Sequence, residues 1–115
     1  MSQIDKLKSK LVKFRDERDW KQFHNPKDIS QAISIESAEL LEHFLWISQE
    51  ASHDVVNENK EEISDELADI FAYLLSFSDI TGIDLEEALL NKLEKNNKKY
   101  PIEKAKGKAT KYNKL

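Results

Sequence analysis

Two glycines and two prolines in 115 residues leave this chain few places to turn sharply. Hairpins depend on residues that accept a positive φ, and no stretch alternates apolar and polar residues for long, so strands find little support. Apolar residues recur instead at three- and four-residue intervals, the spacing of one helix face. The expected fold is all-α: a four-helix bundle-type protomer in one domain spanning 1–115, with a basic tail over 101–115. A chain this short buries only a modest core, and assembly with further copies would add to it.

The first helix is expected from about Gln3 to Arg18, with Ile4, Leu7, Leu11 and Phe14 as a single stripe on a polar rod. An aromatic and charged connector follows, ending in Asn25-Pro26, which reads as a cap and first helical position because proline has no N–H to lose there. A second helix runs to about Ile47, carrying Ile29, Ala32, Ile33, Leu40, Phe44 and Ile47 on one side. Ser48 to Asn57 is polar and reads as a connector. A third helix, about Glu58 to Asp79, presents Ile63, Leu67, Ile70, Leu74 and Phe77, and Thr81-Gly82 stops it. Asp84-Leu85-Glu86-Glu87 opens a fourth like a capping box, ending near Tyr100-Pro101, beyond which the tail is expected to be irregular.

Charge is distributed unevenly. The formal net charge is −4, yet Glu36 to Asp69 holds eleven acids against one base, Lys60, while five lysines and one glutamate follow Pro101. There is no cysteine, which excludes disulfide staples, thiol nucleophiles and thiolate metal sites. The start MSQIDKLKSK has no apolar segment of the signal-peptide kind, and no apolar run approaches the roughly 20 residues that span a bilayer. A cytoplasmic protein without membrane contact is expected.

At about 100° per residue, Glu36 falls between Ile33 and Leu40 near the middle of the second helix's apolar face, with Glu39 at the edge. On the third helix Glu66 borders Ile63, Leu67 and Ile70, and Asp69 lies one step further round, in line with Glu62 and Tyr73. Residues three apart project in nearly the same direction, so each helix brings inward a pair of acids able to chelate together. Each ionised group removed from water without a partner costs on the order of several kcal/mol, and no lysine or arginine lies in helical reach of Glu36 or Glu39. Divalent cations would cancel the charge, and an all-oxygen donor set suits hard ions such as Mg²⁺ or Mn²⁺. Glu42, Glu50, Glu58, Glu61 and Asp65 read as solvated. On pattern alone, Glu39, Glu66 and Asp69 stay open between a solvated edge and ligation. A di-iron bundle needs two Glu-x-x-His motifs, and only Glu50 to His53 offers one, inside a connector. Trp46 by itself reads as a core plug, His24 as an exposed or capping residue, His43 and His53 as surface, and Lys98 and Lys99 as complements to a helix C-terminus.

Four segments in order resemble the all-α MazG-like nucleotide pyrophosphohydrolases, in particular the dCTP pyrophosphatase branch: Glu17 to His24, Glu36 to Trp46, Asp65 to Tyr73, and Asn96 to Pro101. The resemblance covers nearly the whole chain and departs at Leu11, where animal members carry histidine. It implies Mg²⁺-dependent cleavage of a nucleoside triphosphate between the α and β phosphates, with dCTP or a modified pyrimidine deoxynucleotide among the expected substrates. By position it implies Glu36, Glu39, Glu66 and Asp69 as metal ligands and Trp20, His24, Trp46 and Tyr73 as nucleotide-pocket residues. It also implies substrate contact by Asn96 and Lys99, and a homodimer or homotetramer with sites between subunits. The competing expectation is a non-catalytic helical oligomerisation module whose lysine tail binds an acidic partner. Nucleic acid fits that role poorly, because the acidic body repels a polyanion.

Overall fold

A computed structural model describes residues 1–115. It contains six α-helices and no strand: α1 (Gln3–Glu17), α2 (Pro26–Glu42), α3 (Ser52–Glu58), α4 (Lys60–Thr81), α5 (Leu85–Lys99) and α6 (Ile102–Ala105). Short 3-10 turns lie at Lys21–Phe23 and Tyr112–Lys114. No helix is long and apolar enough to cross a membrane.

The helix starts follow from local chemistry. The Ser2 hydroxyl accepts the Asp5 N–H at 3.1 Å and the Asp5 carboxylate accepts the Ser2 N–H at 3.3 Å, a reciprocal box that satisfies two donors the first turn leaves free. Asn25 caps α2 by accepting the Asp28 N–H at 2.9 Å, with Pro26 in the first position. Asp84 caps α5 by accepting the Glu87 N–H at 2.9 Å. Gly82 ends α4 at φ +74, its N–H donating to the Ser78 carbonyl at 2.9 Å. A side chain at that left-handed position would be strained.

The four expected long helices are α1, α2, α4 and α5, and three differences accompany them. Helix α2 stops at Glu42 and not near Ile47, because His43, Phe44 and Leu45 switch to i→i+3 hydrogen bonds and Trp46 takes φ +63. The expected connector after it holds the extra helix α3. The tail, expected to be irregular, forms α6 and the turn at Tyr112–Lys114, where the Tyr112 ring meets Tyr100 edge-on at 6.1 Å and lies under the Lys99 ammonium at 4.8 Å.

The chain divides into two compact units, Met1–Ile83 and Asp84–Leu115. In the first, α4 is the central element: α2 packs along it most extensively, and α1 and α3 also lie against it. The core is narrow. Ile29, Ile63 and Leu75 are its buried apolar residues, joined by buried Ser76, Ser78 and Arg15. Many large apolar side chains stay exposed, among them Leu41, Leu45, Leu67 and Phe71. In the second unit α5 carries Leu89, Leu90 and Leu93 on an open face, and no residue is fully buried.

Candidate active site

Between α1, α2 and α4 lies a cavity of about 330 Å³ lined by Leu11, Phe14, Arg15, Trp20, His24, Glu36, Asp69, Ala72, Tyr73 and Ser76. Its volume falls within the small-molecule range, at the low end of roughly 300–1,000 Å³. One wall is aromatic. After α1 the chain reverses through Asp19, at φ +54, and the Arg15 carbonyl accepts the N–H groups of both Arg18 and Trp20. This hangs the Trp20 ring edge-to-face on Phe14 at 5.8 Å, with the Arg18 guanidinium 3.7 Å over the Phe14 ring.

The opposite wall is acidic. Glu36 on α2 and Asp69 on α4 both face the cavity, while Glu39 and Glu66 line a more open hollow with Glu42 and His43. The two pairs sense each other. Burial raises the Glu36 carboxyl above the ordinary carboxylate range, and the adjoining Glu39 carboxyl and the charges of Asp69 and Glu66 raise it further. The Tyr73 hydroxyl, on the same cavity as Glu36 and Asp69, is likewise raised, by burial and then by the charges of Glu36, Asp69 and Glu39.

Three buried side-chain atoms have no hydrogen-bond partner: Glu36 Oε2, Glu66 Oε2 and His24 Nδ1. Buried polar groups are ordinarily paired, so these three atoms, two at the cavity and one at the hollow beside it, are the buried groups open to a ligand. The His43 Nε2 lies 3.9 Å from Glu66 Oε2, beyond hydrogen-bond distance. The donors suit a hard divalent cation in type and charge, and the two unpartnered carboxylate oxygens sit on different helices. No three of the His, Asp and Glu side chains already converge closely enough to share one ion.

The expected site residues are distributed as follows. Glu36, Asp69, Trp20, His24 and Tyr73 come together at the first cavity, and Glu39 and Glu66 at the neighbouring hollow. Trp46 is neither core nor cavity wall: it stands 93% exposed in the turn after α2. Asn96 and Lys99 belong to the Asp84–Leu115 unit. Two further residues bear on the site. His43, expected at the surface, is partly buried beside Glu66. Arg15, one step round α1 from the apolar stripe, is buried and lines the cavity. The only signal for it was Asp79 on another helix, which sequence spacing does not connect to it.

Comparison with known proteins bears on this arrangement directly. The model of the MazG-like family matches residues 31–115, which include all four acids and Tyr73. The chain belongs to the MazG-like family. Among MazG-like relatives, dCTP pyrophosphatase 1 of Rattus norvegicus is 32% identical over 114 residues, covering 97% of this chain and 67% of the rat protein. The Homo sapiens protein of the same name is 29% identical over 114 residues, with 97% and 67% covered. A crystal structure of a pyrophosphatase from Archaeoglobus fulgidus superposes with a TM-score of 0.85 at 41% identity, over 88% of this chain and 94% of that one.

Proposed function

We propose that this chain is a Mg²⁺-dependent nucleoside triphosphate pyrophosphohydrolase that cleaves dCTP, or a modified pyrimidine deoxynucleotide, to the monophosphate and pyrophosphate. The observation that carries this reading is the cavity itself, with its aromatic wall of Trp20 and Phe14, its acidic wall of Glu36 and Asp69, and unpartnered buried atoms at Glu36 and His24. The names of the relatives, dCTP pyrophosphatase and pyrophosphatase, support the same chemistry.

In this reading Glu36, Glu39, Glu66 and Asp69 would hold the cation, Mg²⁺ with Mn²⁺ as a substitute, once their side chains converge on it. When bound, the cation supplies charge neutralisation for the phosphates and for the developing transition state. The chain does the rest. Trp20 offers a face for the base, since aromatic stacking suits any nucleobase and is worth about 1–3 kcal/mol per base. Tyr73 lines the same cavity as Glu36 and Asp69 and offers its hydroxyl to a bound nucleotide. Asn96 and Lys99, in the Asp84–Leu115 unit, keep the substrate contact that the resemblance assigns them, with the Lys99 ammonium 4.8 Å over the Tyr112 ring. The exposed Leu41, Leu45 and Phe71 support assembly into a homodimer or homotetramer.

The test is a panel of deoxynucleoside triphosphates incubated with the protein, with and without Mg²⁺, and the products separated by ion exchange. Equal amounts of monophosphate and pyrophosphate, only when Mg²⁺ is present, are expected. Orthophosphate release, or turnover that ignores the metal, would contradict the proposal.

A further inference from the structure

Arg15 is the one charged residue buried in the chain, at 3% exposure. A guanidinium carries five N–H donors in a rigid plane and accepts none. Here Nε donates to Asp16 at 2.9 Å and one Nη1 hydrogen to Asp79 at 2.7 Å. Asp16 lies on α1 and Asp79 on α4, so the guanidinium plane is fixed from two helices. One N–H on Nη1 and both on Nη2 are left without a partner in the chain, at a residue that lines the cavity. A buried ion pair adds little net stability over apolar replacement, so holding a charge here calls for another explanation.

The wall around Arg15 narrows that explanation. Its own carbonyl holds the Trp20 N–H at 3.1 Å, so the guanidinium and the aromatic face are parts of one rigid turn. His24, on the same cavity, has a buried Nδ1 with no partner. Burial, and then the Arg15 charge, keep the His24 imidazole neutral, and a neutral imidazole can present one nitrogen as an acceptor.

We propose that Arg15 is the residue that selects the base, its free guanidinium edge donating to the adjacent acceptors N3 and O2 of a cytosine ring stacked at Trp20. Uracil and thymine carry a hydrogen on N3, which faces a donor with a donor. The 4-amino group of cytosine then meets His24 Nδ1 as acceptor. This rests on the reading of the cavity as a nucleotide pocket and deepens it from a nucleotide class to a base-recognition rule.

The experiment compares kcat/KM for dCTP, dUTP, dTTP and dGTP in the wild-type protein and in variants of Arg15. The informative quantity is the dCTP to dUTP ratio, which a general loss of folding leaves alone because both substrates see the same enzyme. The wild type is expected to favour dCTP, and Arg15→Lys, which keeps the charge without the fork, to lower that ratio about tenfold or more. Since an unpaired Asp79 threatens the fold, Arg15→Met combined with Asp79→Leu removes both partners together, and the same fall in ratio is expected there. A ratio unchanged in a folded variant overturns the role of Arg15, as does a wild type that prefers dUTP, dTTP or dGTP. A wild type that turns over no deoxynucleotide overturns the pocket reading itself, and Arg15's role with it.

Discussion

Glu36 is the residue on which the acidic wall turns. Its carboxyl is raised by burial and by three neighbouring acids, so at neutral pH its ionised form opposes folding. Replacing Glu36 with glutamine is therefore expected to raise the melting temperature of the metal-free protein by a few degrees, while lowering turnover by about a hundredfold or more. Saturating Mg²⁺ should raise the wild-type melting temperature, the added stability being about 2.7 kcal/mol at a hundredfold excess over Kd, and leave that of Glu36→Gln unmoved. Differential scanning calorimetry with and without Mg²⁺ reads both effects. His24 gives a second signature. Burial and then Arg15 lower its pKa below the usual 6.5. As pH falls from about 7.5 through the ordinary histidine range, the unfolded chain takes up a proton that the folded imidazole resists. Stability present above that range is thus lost on acidification toward the lowered value. Urea midpoints across this range should show that slope, and His24→Gln should flatten it. The central placement of Glu36 was legible in the sequence because Ile33 and Leu40 flank it on one face. The burial of Arg15 was not, since its partner Asp79 is brought near only by packing of α1 on α4.

At the level of elements, the helix starts were readable and one helix end was not. Asn25-Pro26 and Asp84 carry their capping chemistry in the side chain, and Gly82 carries its left-handed φ in its identity. The end of α2 depends on Trp46 adopting a positive φ, which nothing in a tryptophan advertises, so the apolar run through Ile47 looked like continued helix. The same run misled the reading of Trp46 as a core plug, because a residue past the helix end no longer follows the helical face. Helix α2 holds both Glu36 and Glu39, so its attachment matters to the site. Ile29 is buried at 2% exposure in the first turns of α2. Ile29→Ala is expected to cost about 2–5 kcal/mol, a large part of the stability of a domain this size, and Asn25→Ala about 1 kcal/mol. Chemical denaturation of the two variants checks the order.

For the whole molecule, the narrow core and the open apolar faces bear on assembly. Three buried apolar residues in 115 leave Leu41, Leu45, Leu67, Phe71 and the α5 leucines in water, and a second copy would cover such surfaces. Trp46 tests whether assembly reaches the site. Being 93% exposed, its side chain buries little against its own chain, so Trp46→Ala should change the melting temperature by little. If it stacks on substrate, kcat/KM should fall about tenfold or more. The all-helical class was legible from glycine scarcity and apolar period, and five acids of the middle segment line the cavity or the hollow beside it. Pyrophosphohydrolase activity is defined by which phosphate bond is broken. A phosphorus NMR time course of dCTP with the wild-type protein and Mg²⁺ measures that bond directly. The triphosphate signals are expected to give way to equal amounts of dCMP and pyrophosphate, with no dCDP at any stage. Growth of dCDP and orthophosphate, or a triphosphate spectrum unchanged at completion of the run, would contradict it.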